Sequence, residues 1–116
     1  MIFIMKYKQR DVILVKVIFS KGSGVKKRPA LIISSEYYHN HRQEIIIAAI
    51  TSNIDRLLAG DTKIEDWQKT GLKYSSLVTG IIQTIKIDII ERKLGNISKR
   101  DFLETQINLK KSLGFS

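Results

Sequence analysis

The sequence predicts a mainly β fold that ends in a single helix. Short segments rich in β-branched residues follow one another from residue 11 to residue 95, and no long segment with helical periodicity separates them. Only the segment after Ser98 combines a capping residue with apolar residues at helical spacing. Strands at such short spacing favour an antiparallel sheet or a small barrel over a parallel sheet with crossover helices.

The predicted strands are rich in Val, Ile and Leu, and they cover residues 11–19, 29–36, 44–52, 61–65, 75–83 and 87–95. The predicted connections between them are a polar segment over 37–42, a short turn of helix over 53–58 and a single helical turn over 66–70. Gly80, inside the fifth strand, indicates a bulge or a close approach of other backbone. An SH3-like barrel with a covering helix fits this order of elements.

The final helix has clear start and stop signals. Ser98 is a natural N-cap with Asp101 three residues later, and Gly114 ends the segment. The residues that we expect on the mostly apolar face of this helix are Phe102, Leu103, Gln106, Ile107, Leu109 and Leu113.

Length and composition restrict the possible classes of protein. A chain of 116 residues is long enough for one domain with a single core, which we expect to span residues 1–116. Without cysteine, it has no disulfide, thiolate metal site or cysteine nucleophile. No apolar run approaches the roughly 18 residues of a membrane helix, and the opening MIFIM is too short for a signal-peptide core. We therefore expect a cytoplasmic protein without a membrane partner.

The formal charge of +9, from 20 basic and 11 acidic side chains, points to the kind of partner. Between Met1 and Ser35 the only acid is Asp11, and the basic residues there are Lys6, Lys8, Arg10, Lys16, Lys21, Lys26, Lys27 and Arg28. Such asymmetry favours a polyanionic partner, either nucleic acid, an acidic protein, or both. The alternative is a solvated basic surface that only keeps the protein in solution.

A basic loop that leads into a strand is the central feature of the chain. The stretch Ser20–Ser35 begins with a glycine-spaced segment, in which Gly22 and Gly24 can adopt backbone angles closed to other residues. Pro29 fixes its own φ and biases Arg28 towards an extended conformation. The arginine therefore lies at the start of a rigid strand, which is a suitable position for holding a phosphate.

Several segments occur in an order that is found in one known family. They are DVILVKVIF, the basic loop, KKRPALIISS, AAITSNI, the GD…IEDWQKTGL segment, TI near residue 84, and RKLGNIS before the final helix. Together they resemble the MazF/PemK family, the growth-arresting toxins of type II toxin–antitoxin systems. The resemblance extends from about residue 10 to residue 115, and RPALIIS and AAITSNI are its most specific parts.

The resemblance implies an SH3-like small β-barrel of the PemK/CcdB plasmid-toxin type. It also implies a homodimer with RNA grooves near the dimer interface, and a metal-independent, sequence-selective endoribonuclease that cleaves single-stranded mRNA without a cofactor. An acidic cognate antitoxin would neutralise the activity. By position, the arginine before proline falls on Arg28 and the threonine of the ITS segment falls on Thr51, followed by Ser52. These two residues are the expected catalytic pair.

The residue types fit that chemistry. Metal-independent cleavage uses the ribose 2′-OH as nucleophile, and the guanidinium of Arg28 can bridge two phosphate oxygens and stabilise the charge that builds on them. The hydroxyls of Thr51 and Ser52 can bind phosphate or the 2′-OH, although such hydroxyls also commonly cap a strand. The remaining predicted RNA contacts are Lys21, Lys26 and Lys27, on a flap over the groove, and Thr79.

The general base is not assigned by the sequence. His39 and His41 would titrate in the right range, but their polar surroundings suggest exposed loop residues, and Asp11 and Glu36 are alternative bases. Many family members carry an arginine and an acid in the strand over 75–83, where this chain has neither. Two alternatives follow: a non-cleaving protein of the same fold, such as a gyrase-directed toxin, and a basic SH3-like RNA-binding module.

Overall fold

A computed structural model describes residues 6–18, 24–55 and 57–115 of the chain. Within these ranges the strands are β1 (Asp11–Ile18), β2 (Val25–Ile32), β3 (Glu44–Thr51), β4 (Thr62–Lys63), β5 (Leu77–Lys86) and β6 (Ile90–Asn96). The helices are α1 (Glu36–His41) and α2 (Lys99–Leu113), and two 3-10 turns cover Trp67–Lys69 and Ile87–Ile89.

The strands form one antiparallel sheet in the order β4-β5-β3-β2-β1-β6. This sheet, followed by α2, confirms the prediction of a mainly β fold with a C-terminal helix. β4 and β6 lie at the two ends of the order and are not paired with each other in the described part of the chain. The barrel-like sheet is therefore open between these two strands.

Alternate residues of each strand pack on opposite faces of the sheet, as the twofold repeat of a strand requires. On one face, here called the helix face, Val12, Leu31 and Ala48 pack in one cluster with Phe102 of α2. The other face is here called the Ile13 face, and its buried residues are Ile13, Val15, Ala30, Ile32, Ile45, Ile47, Ile85 and Ile90. The long apolar runs in β1 and β3 arise because both faces of these strands are buried.

α2 begins and ends where the sequence predicts. The Ser98 side chain accepts a hydrogen bond of 3.1 Å from the backbone N–H of Asp101, and Gly114 adopts a left-handed conformation with φ of 77°. The buried face of the helix differs from the predicted one, because Leu103, Ile107 and Leu113 are exposed. The polar residues Asp101 and Thr105 are buried on this helix instead. The Thr105 hydroxyl donates to the Asp101 carbonyl at 2.9 Å, so it keeps a hydrogen-bond partner in the interior.

Two connections differ from their predictions. The segment over 37–42 was expected to be an irregular connection, but it lies largely within α1, whose N-cap Ser35 accepts from the N–H of Tyr38 at 3.4 Å. The short helix expected over 53–58 is wrong for the described residues there. Thr51 Oγ1 accepts from the N–H of Asn53, and Asn53 Oδ1 accepts from the N–H of Asp55, and these local bonds compete with a helix.

Strand boundaries also shift. β2 begins at Val25, before Pro29, because residues 25–29 pair with β1. β5 starts at Leu77 and continues to Lys86, beyond its predicted end. The predicted strand over 87–95 begins with a 3-10 turn, and β6 starts at Ile90. The single helical turn before Gly71 is confirmed by the 3-10 turn Trp67–Lys69.

The buried face of α2 can be tested with two neighbouring residues. Phe102→Ala removes a buried ring from the helix face and should lower the free energy of unfolding by about 3–5 kcal/mol. Leu103→Ala acts on an exposed side chain and should change it by less than about 0.5 kcal/mol. Urea unfolding followed by circular dichroism measures both. Equal losses in the two variants would contradict the observed orientation of α2.

Candidate functional site

The candidate site lies where β2 and β3 separate. Their recorded pairs are Ala30 with Ala49, Leu31 with Ala48, and Ile32 with Ile47. Before Ala30, the described residues of β2 pair with β1 alone, and after Ala49, the residues of β3 pair with β5 alone. An opening therefore forms between the first half of β2 and the last residues of β3.

The sheet register places the predicted catalytic pair on the two sides of this opening. Continuing the register by two residues from the Ala30–Ala49 pair puts Arg28 across from Thr51. Arg28 pairs directly with Val15, a member of the Ile13 face, and directly paired residues share a face. By the same alternation, Thr51 lies on the face of Ala49. Arg28 and Thr51 are therefore on the same face of the sheet, across the opening.

The Arg28 guanidinium is available to a ligand. Its side chain is exposed, and within the part of the chain that the structure describes it makes no ion pair or hydrogen bond. Pro29 follows it, and Arg28 has the extended backbone of β2. An unpaired guanidinium on a rigid strand can present two parallel N–H donors to one phosphate group.

Two hydroxyl groups, those of Thr51 and Ser52, lie on the other side of the opening, and that of Thr51 already makes one hydrogen bond within the protein. Thr51 is half-buried, and its Oγ1 accepts a 3.1 Å hydrogen bond from the N–H of Asn53. A hydroxyl has one hydrogen to donate, so Thr51 can still donate to an incoming oxygen. Ser52 is exposed and directly follows it. The loop that follows β3 therefore presents two hydroxyls beside the opening.

The predicted lysine contacts separate onto two faces. Lys26 pairs with Val17 and so lies on the face of Arg28. Lys27 pairs with Lys16 on the opposite face, where Lys27 Nζ lies 3.0 Å and Lys16 Nζ 3.4 Å from the carboxylate of Glu91. Hydrogen bonds from these two lysines hold the pKa of Glu91 below its usual value. Lys21 lies outside the described residues.

Thr79 is buried and its hydroxyl is used within the sheet. Thr79 Oγ1 donates to the carbonyl of Ala49 at 2.7 Å and accepts from the N–H of Ile81 at 3.2 Å. Its predicted contact with RNA stays a prediction. Sequence reasoning missed the internal role because the register of β3 and β5 around Gly80 cannot be deduced from the residues.

The expectation that His39 is an exposed loop residue is wrong. His39 lies on α1 with 3% of its surface exposed, and its Nε2 lies 2.6 Å from Ser34 Oγ. Burial lowers the pKa of His39, while the carboxylates of Glu36 and Asp11 oppose that shift. A signal was present in the sequence, since a serine near the end of the predicted strand over 29–36 precedes the histidine by only five residues.

The other candidate bases do not lie at the opening. Asp11 is buried at the far end of β1, where it accepts from the N–H of Lys8 at 2.9 Å and pairs with Lys93 at 3.1 Å. Glu36 and His41 lie on α1, which follows the opposite end of β2. None of these side chains is positioned next to Arg28 or Thr51 by the sheet register.

The larger of two described cavities, about 620 Å³, lies at the start of β3, at the opposite end of that strand from Thr51. It is lined by His41, Arg42, Gln43, Glu44, Lys86, Ile87 and Asp88. Its charges largely balance, and Arg42 pairs with Glu44 at 2.6 Å. This cavity is therefore not the opening between β2 and β3. The opening is assigned as the candidate site from the sheet register and from the charge of Arg28.

Metal chemistry has no obvious location in the described residues, where no group of three or more His, Asp or Glu side chains could hold an ion. Among the helices of the same ranges, none is long and apolar enough to cross a membrane.

Comparison with known proteins identifies the class of molecule. The family described as the PemK-like, MazF-like toxin of type II toxin–antitoxin systems matches residues 8–113. Similar solved structures include the Mycobacterium tuberculosis toxin MazF-mt6, with a TM-score of 0.75 and 21% identity over 92% of this chain and 99% of that one. An endoribonuclease from Mycobacterial species has a TM-score of 0.76 and 16% identity over 97% and 96%.

A third similar structure is MazE-MazF from Deinococcus radiodurans, with a TM-score of 0.74 and 15% identity over 95% of this chain and 98% of that chain. A search of curated protein sequences finds no match. The chain therefore shares its fold with these three solved structures over nearly its whole length. The chain belongs to the PemK-like, MazF-like toxin family of type II toxin–antitoxin systems.

The buried histidine predicts a pH dependence of stability. Because burial lowers the pKa of His39, the unfolded chain, with a pKa near 6.5, binds the proton more readily than the folded chain. Stability should therefore fall as pH is lowered from about 7.5 through 6.5 towards the folded-state pKa of His39. Chemical unfolding at a series of pH values measures this slope.

The matched variants for that experiment are His39→Gln and His41→Gln. The first should flatten the slope between about pH 7.5 and 5.5, because the titrating group is gone. The second removes an exposed histidine and should keep the wild-type slope. A wild-type slope in His39→Gln would mean that another group carries the pH dependence.

Proposed function

We propose that this chain is a metal-independent endoribonuclease that cleaves single-stranded mRNA at selected sequences, as the toxin of a toxin–antitoxin pair. The proposal is carried by the register of β2 and β3, which, continued past the Ala30–Ala49 pair, puts Arg28 across from Thr51 on one face of the sheet. Membership of a toxin family supports it, and so does the fold shared with a protein named as an endoribonuclease.

The proposed reaction balances without a metal. The ribose 2′-oxygen attacks the adjacent phosphorus and loses its proton to a base, and the bond from phosphorus to the 5′-oxygen breaks. The 5′-oxygen gains a proton, and the products carry a 2′,3′-cyclic phosphate and a 5′-hydroxyl. Arg28 supplies charge stabilisation to the phosphorane oxygens, for which a permanently charged, bidentate donor is suited. The proposal assigns no residue to the general base.

The remaining residues of the site bind and orient the RNA. The Thr51 hydroxyl donates to a phosphate oxygen or to the 2′-oxygen, and Ser52 supplies a second hydroxyl. Lys26, on the face of Arg28, contacts a neighbouring phosphate. Lys21 lies outside the described residues and stays a predicted RNA contact, whereas Lys27 is held by Glu91 on the opposite face of β2 and contributes less to RNA binding.

An acidic antitoxin is the first protein partner that we propose. A formal charge of +9 favours an acidic antitoxin that covers the basic surface. Solved structures with the same fold include an endoribonuclease in complex with its cognate antitoxin from Mycobacterial species and MazE-MazF from Deinococcus radiodurans. We also propose that the toxin acts as a homodimer, in the cytoplasm, where both mRNA and a newly made antitoxin are present.

The central experiment is cleavage of a long single-stranded RNA in EDTA with mapping of product ends. Wild type should give discrete cuts with 5′-hydroxyl ends, and Arg28→Ala should lower kcat by about 10²–10³-fold because a preorganised donor is lost. Arg92→Ala is the matched control, since Arg92 pairs with Leu14, whose side chain faces away from the opening. Intact RNA with folded, antitoxin-free wild type would favour the non-cleaving alternative.

A second prediction separates the two neighbouring lysines. Lys26→Ala should raise the Kd for single-stranded RNA several-fold. It should also reduce the slope of log K against log salt concentration by about one, the amount expected for one lost phosphate contact. Lys27→Ala should have a smaller effect, because the Lys27 ammonium is on the opposite face and bound to Glu91. Fluorescence anisotropy titrations at several salt concentrations measure both. A larger loss of RNA binding in Lys27→Ala than in Lys26→Ala would instead place the RNA on the helix face.

A further inference from the structure

The last two residues of β3 depend on one neighbouring strand. After Ala49, β3 has no recorded partner in β2, and Ile50 and Thr51 are held by pairing with Val78 and Leu77 of β5. Any change in the path of β5 at this point is therefore transmitted to Thr51. No second strand within the described residues opposes such a change.

β5 carries a bulge at this position. Ala48 pairs with Ile82, whereas Ile50 pairs with Val78, so the three β5 residues from Thr79 to Ile81 lie opposite Ala49 alone. A shift of two residues leaves every side chain on its original face but bends and twists the bulged strand. Bulges next to active sites commonly re-aim a side chain.

Side chains hydrogen-bond to backbone groups in the bulge and directly opposite it. The Thr79 hydroxyl donates to the Ala49 carbonyl and accepts from the Ile81 N–H, at 2.7 and 3.2 Å. The N–H of Gly80 donates to Asp61 Oδ1 at 2.9 Å. Without the Thr79 hydroxyl, the Ala49 carbonyl would lose this donor and the Ile81 N–H would lose this acceptor, beside a buried side chain.

The glycine at the centre of the bulge fixes its position against the neighbouring turn. A Cβ on Gly80 would lie 2.6 Å from the carbonyl oxygen of Ala59, which is closer than real contacts allow. The backbone of residues 59 and 60 therefore packs directly against the bulge. With Gly80 fixed on one side, the Thr79 bond to Ala49 fixes the other side of the bulge to β3.

We propose that Thr79 is a positioning residue that holds Thr51 in its catalytic orientation by hydrogen-bonding Ala49 across the β3–β5 bulge. This inference rests on the proposed ribonuclease function, and it replaces a direct contact of Thr79 with RNA. Ala49 is the last β3 residue with a partner in β2, and Thr51 lies two residues beyond it on the same face. Loss of the bond to Ala49 frees the end of β3 to move relative to Arg28.

The test uses three substitutions on β5. Thr79→Val keeps the side-chain shape and removes the hydroxyl, Thr79→Ser keeps the hydroxyl and removes a buried methyl, and Thr84→Val makes the same change at an exposed position paired with Ile46. Each is assayed for kcat and KM of RNA cleavage in EDTA, at a temperature below the unfolding transition of all variants.

Thr79→Val should lower kcat by roughly 10- to 100-fold with KM changed by less than about twofold, because misplacement of a catalytic group acts mainly on the chemical step. Thr79→Ser should stay within about threefold of wild type even if its stability falls, and Thr84→Val should match wild type. Wild-type kcat in Thr79→Val, an equal loss in Thr79→Ser, or a rise in KM alone would overturn the proposal, the last in favour of direct RNA contact.

A readout that does not need activity separates this proposal from the proposed function. The N–H of Asn53 is bound to Thr51 Oγ1, so its hydrogen exchange reports on the position of Thr51. Thr79→Val should speed this exchange by about tenfold or more, and Thr84→Val should not. If wild type cleaves no RNA, the proposed function fails. The exchange rate of the Asn53 N–H then still shows whether Thr79 holds Thr51 in position. An unchanged rate in Thr79→Val would overturn it.

Discussion

The separation of β2 from β3 beyond the Ala30–Ala49 pair is the constraint on which the candidate site depends. A continuous ladder at this point would leave no opening between Arg28 and Thr51. Pro29 contributes to the separation, because a residue without an N–H cannot donate to a neighbouring strand. The same proline restricts Arg28 to an extended backbone, so one residue both interrupts the ladder and orients the cation beside it.

The strict alternation of side chains along β2 divides the basic residues into two groups with different surroundings. Arg28 and Lys26 lie on the Ile13 face beside the opening, and the Arg28 guanidinium keeps its full charge for a ligand. Lys27 and Lys16 lie directly opposite each other on the helix face, where two like charges would repel. Glu91 contacts both ammonium groups and offsets that repulsion, so it stabilises the β1–β2 hairpin against β6.

Much of the fold could be predicted because several residues act locally. Ser98 and Gly114 define the ends of α2 through capping, which depends on neighbours in the sequence. The burial of His39 was missed because it depends on a contact with Ser34, two residues beyond the end of β2. The exposed Leu103 was misplaced because the buried side of α2 includes Asp101 and Thr105 beside Phe102 and Leu109. In both cases a hydrogen bond within the protein accompanies a buried polar side chain that was not expected in the interior.

Some features of the candidate site could likewise be predicted from the sequence, and others could not. Arg28 and Thr51 are recognisable from short segments, since each belongs to a characteristic sequence, KKRPALIISS for Arg28 and AAITSNI for Thr51. The separate faces of Lys26 and Lys27, and the bond from Thr79 to Ala49, require the register of three strands. Gly80 indicated a bulge or a close approach of other backbone, and the structure has both, but the register on either side depends on long-range pairing that composition and spacing do not contain.

A structure of the toxin bound to a short single-stranded RNA with a 2′-deoxy nucleotide at the cleavage site tests the account most directly. The account predicts the scissile phosphate in the opening between β2 and β3, with both terminal nitrogens of Arg28 and the Thr51 hydroxyl within hydrogen-bonding distance of its oxygens. RNA that lies on the helix face, with a phosphate displacing Glu91 from Lys16 and Lys27, would contradict it.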